Sequence, residues 1–200
     1  GNRTYEAHFT AKDYKVTYDY GYDGKTSEST ATYNSRFNTE SPSRDGYDFS
    51  GWTYNGEEFH SGIWNVDSDV TLVARWKAKK YNITYILNGG HNSPANLSTY
   101  TIETPTFFLS DPNKNGYDFL GWSGTGINGI SKDVAIENGS IGDRMYTANW
   151  KPHTYKITFD AKGGECPIST MSVDYGSKIS LPNPTRKGYT FAGWFNIKNN

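Results

Sequence analysis

The residues able to do chemistry are few and scattered. The four histidines are His8, His60, His91 and His153. None has a second His or Cys at metal-ligand spacing, so no transition-metal site is expected. Asp67-Ser68-Asp69 offers carboxylates for calcium but fits no loop with defined ligand positions, and reads as a solvated turn. Cys166 stands between Glu165 and Pro167. A reactive thiolate needs a neighbouring positive charge, and here the adjacent charge is negative. No nucleophile motif, glycine-rich phosphate loop or H-E-x-x-H is present. No catalytic residue, metal or cofactor is expected.

The remaining chemistry is aromatic. Trp52, Trp122 and Trp194 have faces that would stack on sugar rings. Tyr18, Tyr20, Tyr22 and Tyr33 add further rings, so a carbohydrate-binding module is the alternative reading. Yet these tryptophans recur at fixed places in a repeat. Core packing explains that more simply, because large aromatics dominate small cores.

The repeat sets the positions of these residues. Gly46-Tyr47-Asp48-Phe49-Ser50-Gly51-Trp52 recurs 70 residues on, from 46 to 116, as Gly116-Tyr117-Asp118-Phe119-Leu120-Gly121-Trp122. It recurs after a further 72, from 116 to 188, as Gly188-Tyr189-Thr190-Phe191-Ala192-Gly193-Trp194. An opening motif precedes each: Tyr14–Asp19, Tyr81–Ile86 and Tyr155–Asp160. A closing motif ends on Trp76 and on Trp150. The structural signature is therefore Gly46, Tyr47, Phe49, Gly51, Trp52 and Trp76 in the first copy. Gly116, Tyr117, Phe119, Gly121, Trp122 and Trp150 form it in the second, and Gly188, Tyr189, Phe191, Gly193 and Trp194 in the third.

These motifs read as strands. In the opening motif Tyr155, Ile157 and Phe159 alternate with Lys156, Thr158 and Asp160, the period of a half-buried strand. Gly89-Gly90 and Gly163-Gly164 supply tight reversals. In the Gly-Tyr segment strict alternation places Tyr47, Phe49 and Gly51 on one face and Asp48, Ser50 and Trp52 on the other. The glycine marks a close approach or a bulge. Helix signals are weak: Lys132–Ile136 and Phe59–Val66 are expected to form at most a turn or two.

The expected organisation follows. Residues 1–11 match the closing strand of a preceding copy, since Gly1–Phe9 aligns with Gly142–Trp150. Residues 12–78 and 79–151 are complete copies, and 152–200 is a copy without its closing strand. A third copy open at its sheet edge, with a matching strand at residues 1–11, allows head-to-tail self-association.

Bulk properties agree. The net charge of −1 gives no nucleic-acid footprint. No apolar run is long enough for membrane insertion. Apolar content is 34% while 16% of residues are aromatic, which suits several small cores better than one large one.

Tyr-x-Ile-Thr-Phe-Asp-Ala-x-Gly-Gly at 155–164 and Pro-x-Pro-Thr-Arg-x-Gly-Tyr-Thr-Phe-Ala-Gly-Trp at 182–194 resemble the Listeria–Bacteroides repeat family, whose modules include the internalin B-repeat type. The first copy departs from the pattern, with Tyr20-Gly21-Tyr22 in place of the usual turn. The resemblance implies a mostly β, α+β chain of tandem small β-grasp-like (ubiquitin-like) modules with little helix. It implies a non-catalytic segment of an extracellular, cell-surface or secreted bacterial protein, acting as an adhesive stalk or spacer. The implied partner is a protein on a host or neighbouring cell, with a glycan as the other candidate.

Overall fold

The computed structural model describes residues 1–195; residues 196–200 of the third copy lie outside the described residues. The described chain is mostly β and contains no helix. The strands are β1 (Asp13–Asp19), β2 (Thr26–Thr32), β3 (Arg36–Phe37), β4 (Tyr47–Tyr54), β5 (Glu57–Phe59), β6 (Gly62–Ile63), β7 (Val70–Ala78) and β8 (Tyr81–Ile86). They continue with β9 (Thr99–Tyr100), β10 (Phe107–Phe108), β11 (Tyr117–Gly124), β12 (Ala135–Ile136), β13 (Arg144–Pro152), β14 (Thr154–Thr158) and β15 (Thr170–Asp174). The two segments expected to form a helical turn instead hold β5 and β6, and a loop leading into β12. Their apolar residues lack a 3.6-residue period, and Val134 and Ile136 are buried one by one.

The chain divides into two compact units. The first comprises Gly1–Asn82, Thr99–Thr106 and Ile136–Asp143. Its main sheet has the order β2-β1-β7-β4-β5. The β1–β2 hairpin is antiparallel, with Tyr14 opposite Ala31. At the centre β1 and β7 run parallel, pairing Val16 with Val70 and Tyr18 with Leu72. Period-two alternation sends Val16, Tyr18, Val70, Leu72 and Ala74 to one face, where Trp52, Trp64 and Phe37 complete the core. The opposite face of β7 is exposed at Thr71 and Val73. The first residues of β8 also lie in this unit, where Tyr81 and Asn82 pair with Tyr100 and Thr99. Residues 1–11 form no strand and are exposed throughout.

The second unit comprises Ile83–Ser98, Phe107–Ala135 and Arg144–Asn200. Here β13 is antiparallel to β11 and parallel to β8. Ile83, Trp122, Tyr146 and Ala148 fill its core, in the places that Val16, Trp52, Leu72 and Ala74 hold in the first. The β14–β15 hairpin pairs Tyr155 with Val173. An aspartate caps each opening strand: Asp69 Oδ1 accepts from the Lys15 amide at 2.8 Å, and Asp143 Oδ1 from the Asn82 amide at 2.7 Å. Asp69 thus serves the backbone.

Candidate functional site

The site that recurs is the Gly-Tyr segment. In the first copy the ladder between β4 and β7 shifts register between Phe49 and Gly51, and the second copy shifts at the same place, between Phe119 and Gly121. This bulge overturns strict alternation. One extra residue turns the chain over, so Phe49 and Trp52 share a face, with ring centroids 5.3 Å apart. Phe119–Trp122 at 5.3 Å and Phe191–Trp194 at 5.5 Å repeat the pair. Gly51, Gly121 and Gly193 have φ of 114°, 138° and 128°. Side-chain-bearing residues rarely adopt such values, which explains glycine at the two bulges and at the matching position of the third copy.

The tryptophans are placed by this bulge. Trp52 is 1% and Trp122 0% exposed, so neither offers a ring face to a sugar. Trp194 is partly buried, against Phe159 at 5.0 Å. Trp52 gives its indole N–H to the Glu40 carbonyl at 2.8 Å, and Trp194 gives its own to the Pro182 carbonyl at 2.7 Å. The corresponding acceptor for Trp122 would be the Ser110 carbonyl, but the Asn96 side chain occupies that oxygen at 2.9 Å. The buried Trp122 N–H has no hydrogen-bond partner among the described residues. The closing tryptophans are half-buried. Trp76 donates to the Tyr20 carbonyl at 2.7 Å, and Trp150 to the Leu87 carbonyl at 2.9 Å. A Cβ on Gly90 would meet the Trp150 ring at 2.5 Å, so the second glycine of that turn makes room for it.

Each Gly-Tyr is preceded by a turn that the repeat alignment alone did not single out. A cation stands three residues before each tyrosine: Arg44, Lys114 and Arg186. Each folds over its ring, at 3.9 Å for Arg44–Tyr47, 4.0 Å for Lys114–Tyr117 and 4.3 Å for Arg186–Tyr189. The tyrosine amide closes each turn on the cation's own carbonyl, at 3.1, 3.2 and 3.1 Å. Gly46, Gly116 and Gly188 have φ of 78°, 77° and 84°. The basic residue two places before each Gly-Tyr was the signal available in the sequence.

His60 lies 3.9 Å from Glu58, and His153 lies 3.0 Å from Asp118. The His91 backbone bonds that of Asn113, and His8 is exposed. No three potential metal ligands gather among the described residues. A cleft of about 200 Å³ in the third copy is lined by Gly164, Thr185, Arg186, Tyr189, Thr190 and Phe191, among others. Burial raises the Tyr85 phenol to about 12, with Tyr146 adding a smaller push. Its hydroxyl donates to the Leu97 carbonyl at 2.9 Å, a structural contact. No helix of the described residues is long and apolar enough to cross a membrane.

Comparison with known proteins places these copies. The Listeria-Bacteroides repeat domain matches residues 14–75, 81–136 and 155–200. Internalin H of Listeria monocytogenes serovar 1/2a (strain EGD-e) is 31% identical over 119 residues, covering 59% of this chain and 20% of that protein. A protein of Evansella cellulosilytica, predicted to be a Gly-rich membrane protein, is 28% identical over 200 residues, covering 94% of this chain and 22% of its own length. A second protein of that organism, predicted to be a membrane protein, is 27% identical over 192 residues, covering 91% of this chain and 28% of its own length. The chain thus spans between a fifth and a third of each relative it matches. Three successive matches, each holding one Gly-Tyr segment, fill most of the chain, which belongs to the Listeria-Bacteroides repeat domain family.

Proposed function

We propose that this chain is a non-catalytic segment of a bacterial surface protein, serving as an adhesive stalk or spacer outside the cell. The observation that carries the reading is the repeated aromatic segment, whose tryptophan is buried in the first two copies and half-buried in the third, while no three potential metal ligands gather among the described residues. The relationship to internalin H supports a place at the cell surface. The modules read as β-grasp-like. The parallel pairing of opening and closing strands, each with an antiparallel neighbour outside it, supports that topology, although the described residues hold no helix.

The partner in this reading is a protein on a host or neighbouring cell. Burial of Trp52 and Trp122 weighs against sugar stacking as the means of contact. The test is binding of the labelled chain to whole cells before and after surface proteolysis or deglycosylation. Binding lost on proteolysis is expected. Binding that survives proteolysis and disappears on deglycosylation transfers the role to a carbohydrate module. Absence of binding to any cell type removes adhesion and leaves the spacer role.

A further inference from the structure

The glycine of each Gly-Tyr has a second property beyond its turn. In the first unit a Cβ on Gly46 would meet Ile102 Cδ1 at 2.6 Å. In the second unit a Cβ on Gly116 would overlap the Tyr175 ring. Ile102 and Tyr175 are equivalent residues of successive copies. Each lies two places beyond the cross-strand partner of the opening tyrosine: Tyr81 pairs with Tyr100, and Tyr155 with Val173. In both cases, then, an apolar side chain of one copy sits on the glycine of the copy before it.

A second contact accompanies each. The Lys79 amide donates to the Gly46 carbonyl at 2.8 Å, and the His153 amide to the Gly116 carbonyl, also at 2.8 Å. Lys79 Nζ lies 3.4 Å from Asp48, and His153 Nε2 lies 3.0 Å from Asp118. Lys79 and His153 each stand two places before their opening tyrosine, so they too are equivalent. A neighbouring ring adds to the second contact: Tyr117 meets Tyr175 edge-on at 5.7 Å.

We propose that the Gly-Tyr turn of each copy is a docking socket for the next, filled by a plug that pairs a basic linker residue with a large apolar residue beyond the first hairpin. Lys79 with Ile102 is one plug, and His153 with Tyr175 is another. Lys12 and Tyr33 occupy the same positions in the first copy, where the Tyr33 amide donates to the Lys12 carbonyl at 2.9 Å, as Tyr175 does to His153 at 2.8 Å. Tyr33 is 42% exposed. Gly188 has the same turn as Gly46 and Gly116, yet no described atom lies within 4 Å of its Cβ position, and Tyr189 is 68% exposed. Isolated turns need the glycine for φ alone; a socket needs it for space as well. This goes beyond the adhesive reading, because the contact couples copies whether or not the chain binds a cell.

Two comparisons on the 200-residue chain test it. Gly116→Ala and Gly188→Ala place the same methyl at nearly the same φ, but only the first meets a plug. A clearly larger drop in melting temperature for Gly116→Ala is expected; equal drops overturn the proposal. Tyr175→Ala is then followed by hydrogen exchange. The His153 amide, whose acceptor is Gly116, should exchange at least tenfold faster while the β14–β15 ladder stays protected. Tyr33→Ala, which empties no socket among the described residues, should leave both the Lys79 and His153 amides at the parent rate. An unchanged His153 rate in Tyr175→Ala overturns the proposal.

Discussion

The same tryptophan meets different conditions in different copies, and stability should record the difference. Trp122 is fully buried, so Trp122→Ala is expected to cost about 3–5 kcal/mol in denaturant melts, the range for truncating a large core aromatic. Its indole N–H has no hydrogen-bond partner among the described residues, where the Ser110 carbonyl accepts from the Asn96 amide instead. An unmet buried donor costs on the order of 1–3 kcal/mol, so Trp122→Phe should cost less than Trp52→Phe, which strands the Glu40 carbonyl. Parallel chemical denaturation of the two variants checks this. Tyr85 supplies a pH dependence. Its folded phenol titrates at about 12, while an unfolded one titrates near its ordinary value of 10. The stability it contributes is whole below pH 10. It falls as pH rises from 10 towards 12, because the unfolded chain loses the proton first. Tyr85→Phe should therefore show a shallower alkaline loss than the parent, read as the denaturation midpoint at pH 9 and pH 11.5.

At the scale of strands, the bulge decides more than the periodicity does. Gly121→Ala adds a Cβ 2.7 Å from the Ser131 backbone at a φ of 138°, whereas at Gly193, with φ 128°, no described atom lies within 4 Å. Gly121→Ala should destabilise more than Gly193→Ala, by about 1–3 kcal/mol, the usual cost of overpacking. Equal melting losses would show that φ strain alone governs both. Much of the strand pattern was legible. The opening motif alternates as a half-buried strand must, and Val16, Tyr18 and Ile83 are buried where that alternation puts them. The faces of the Gly-Tyr segment were not legible, because a strand read at period two cannot say where an extra residue enters. The cation over each tyrosine was marked in the sequence only by a basic residue two places before each Gly-Tyr, and its stacking depends on the turn that brings Arg44, Lys114 and Arg186 to the ring. The contact of Ile102 with Gly46 joins residues of different copies, and no local pattern carries such information.

The whole chain has nearly balanced charge, with a net −1 at pH 7 and an isoelectric point near 6.5. Solubility should pass through its minimum near that pH, where repulsion between molecules is least, and a turbidity series from pH 5 to 9 will show it. The pairing of β1 with β7 has a mechanical side. They are the first and last long strands of a copy, they lie side by side, and they run the same way. Tension applied at Asp13 and at Ala78 therefore drags them past each other along their length. The bonds between Val16–Asp19 and Val70–Val73 must then break together under shear, where a hairpin pulled from its open end would unzip one rung at a time. A copy pulled end to end is therefore expected to yield at a higher force than a hairpin peeled from its open end, a difference that single-molecule stretching would read.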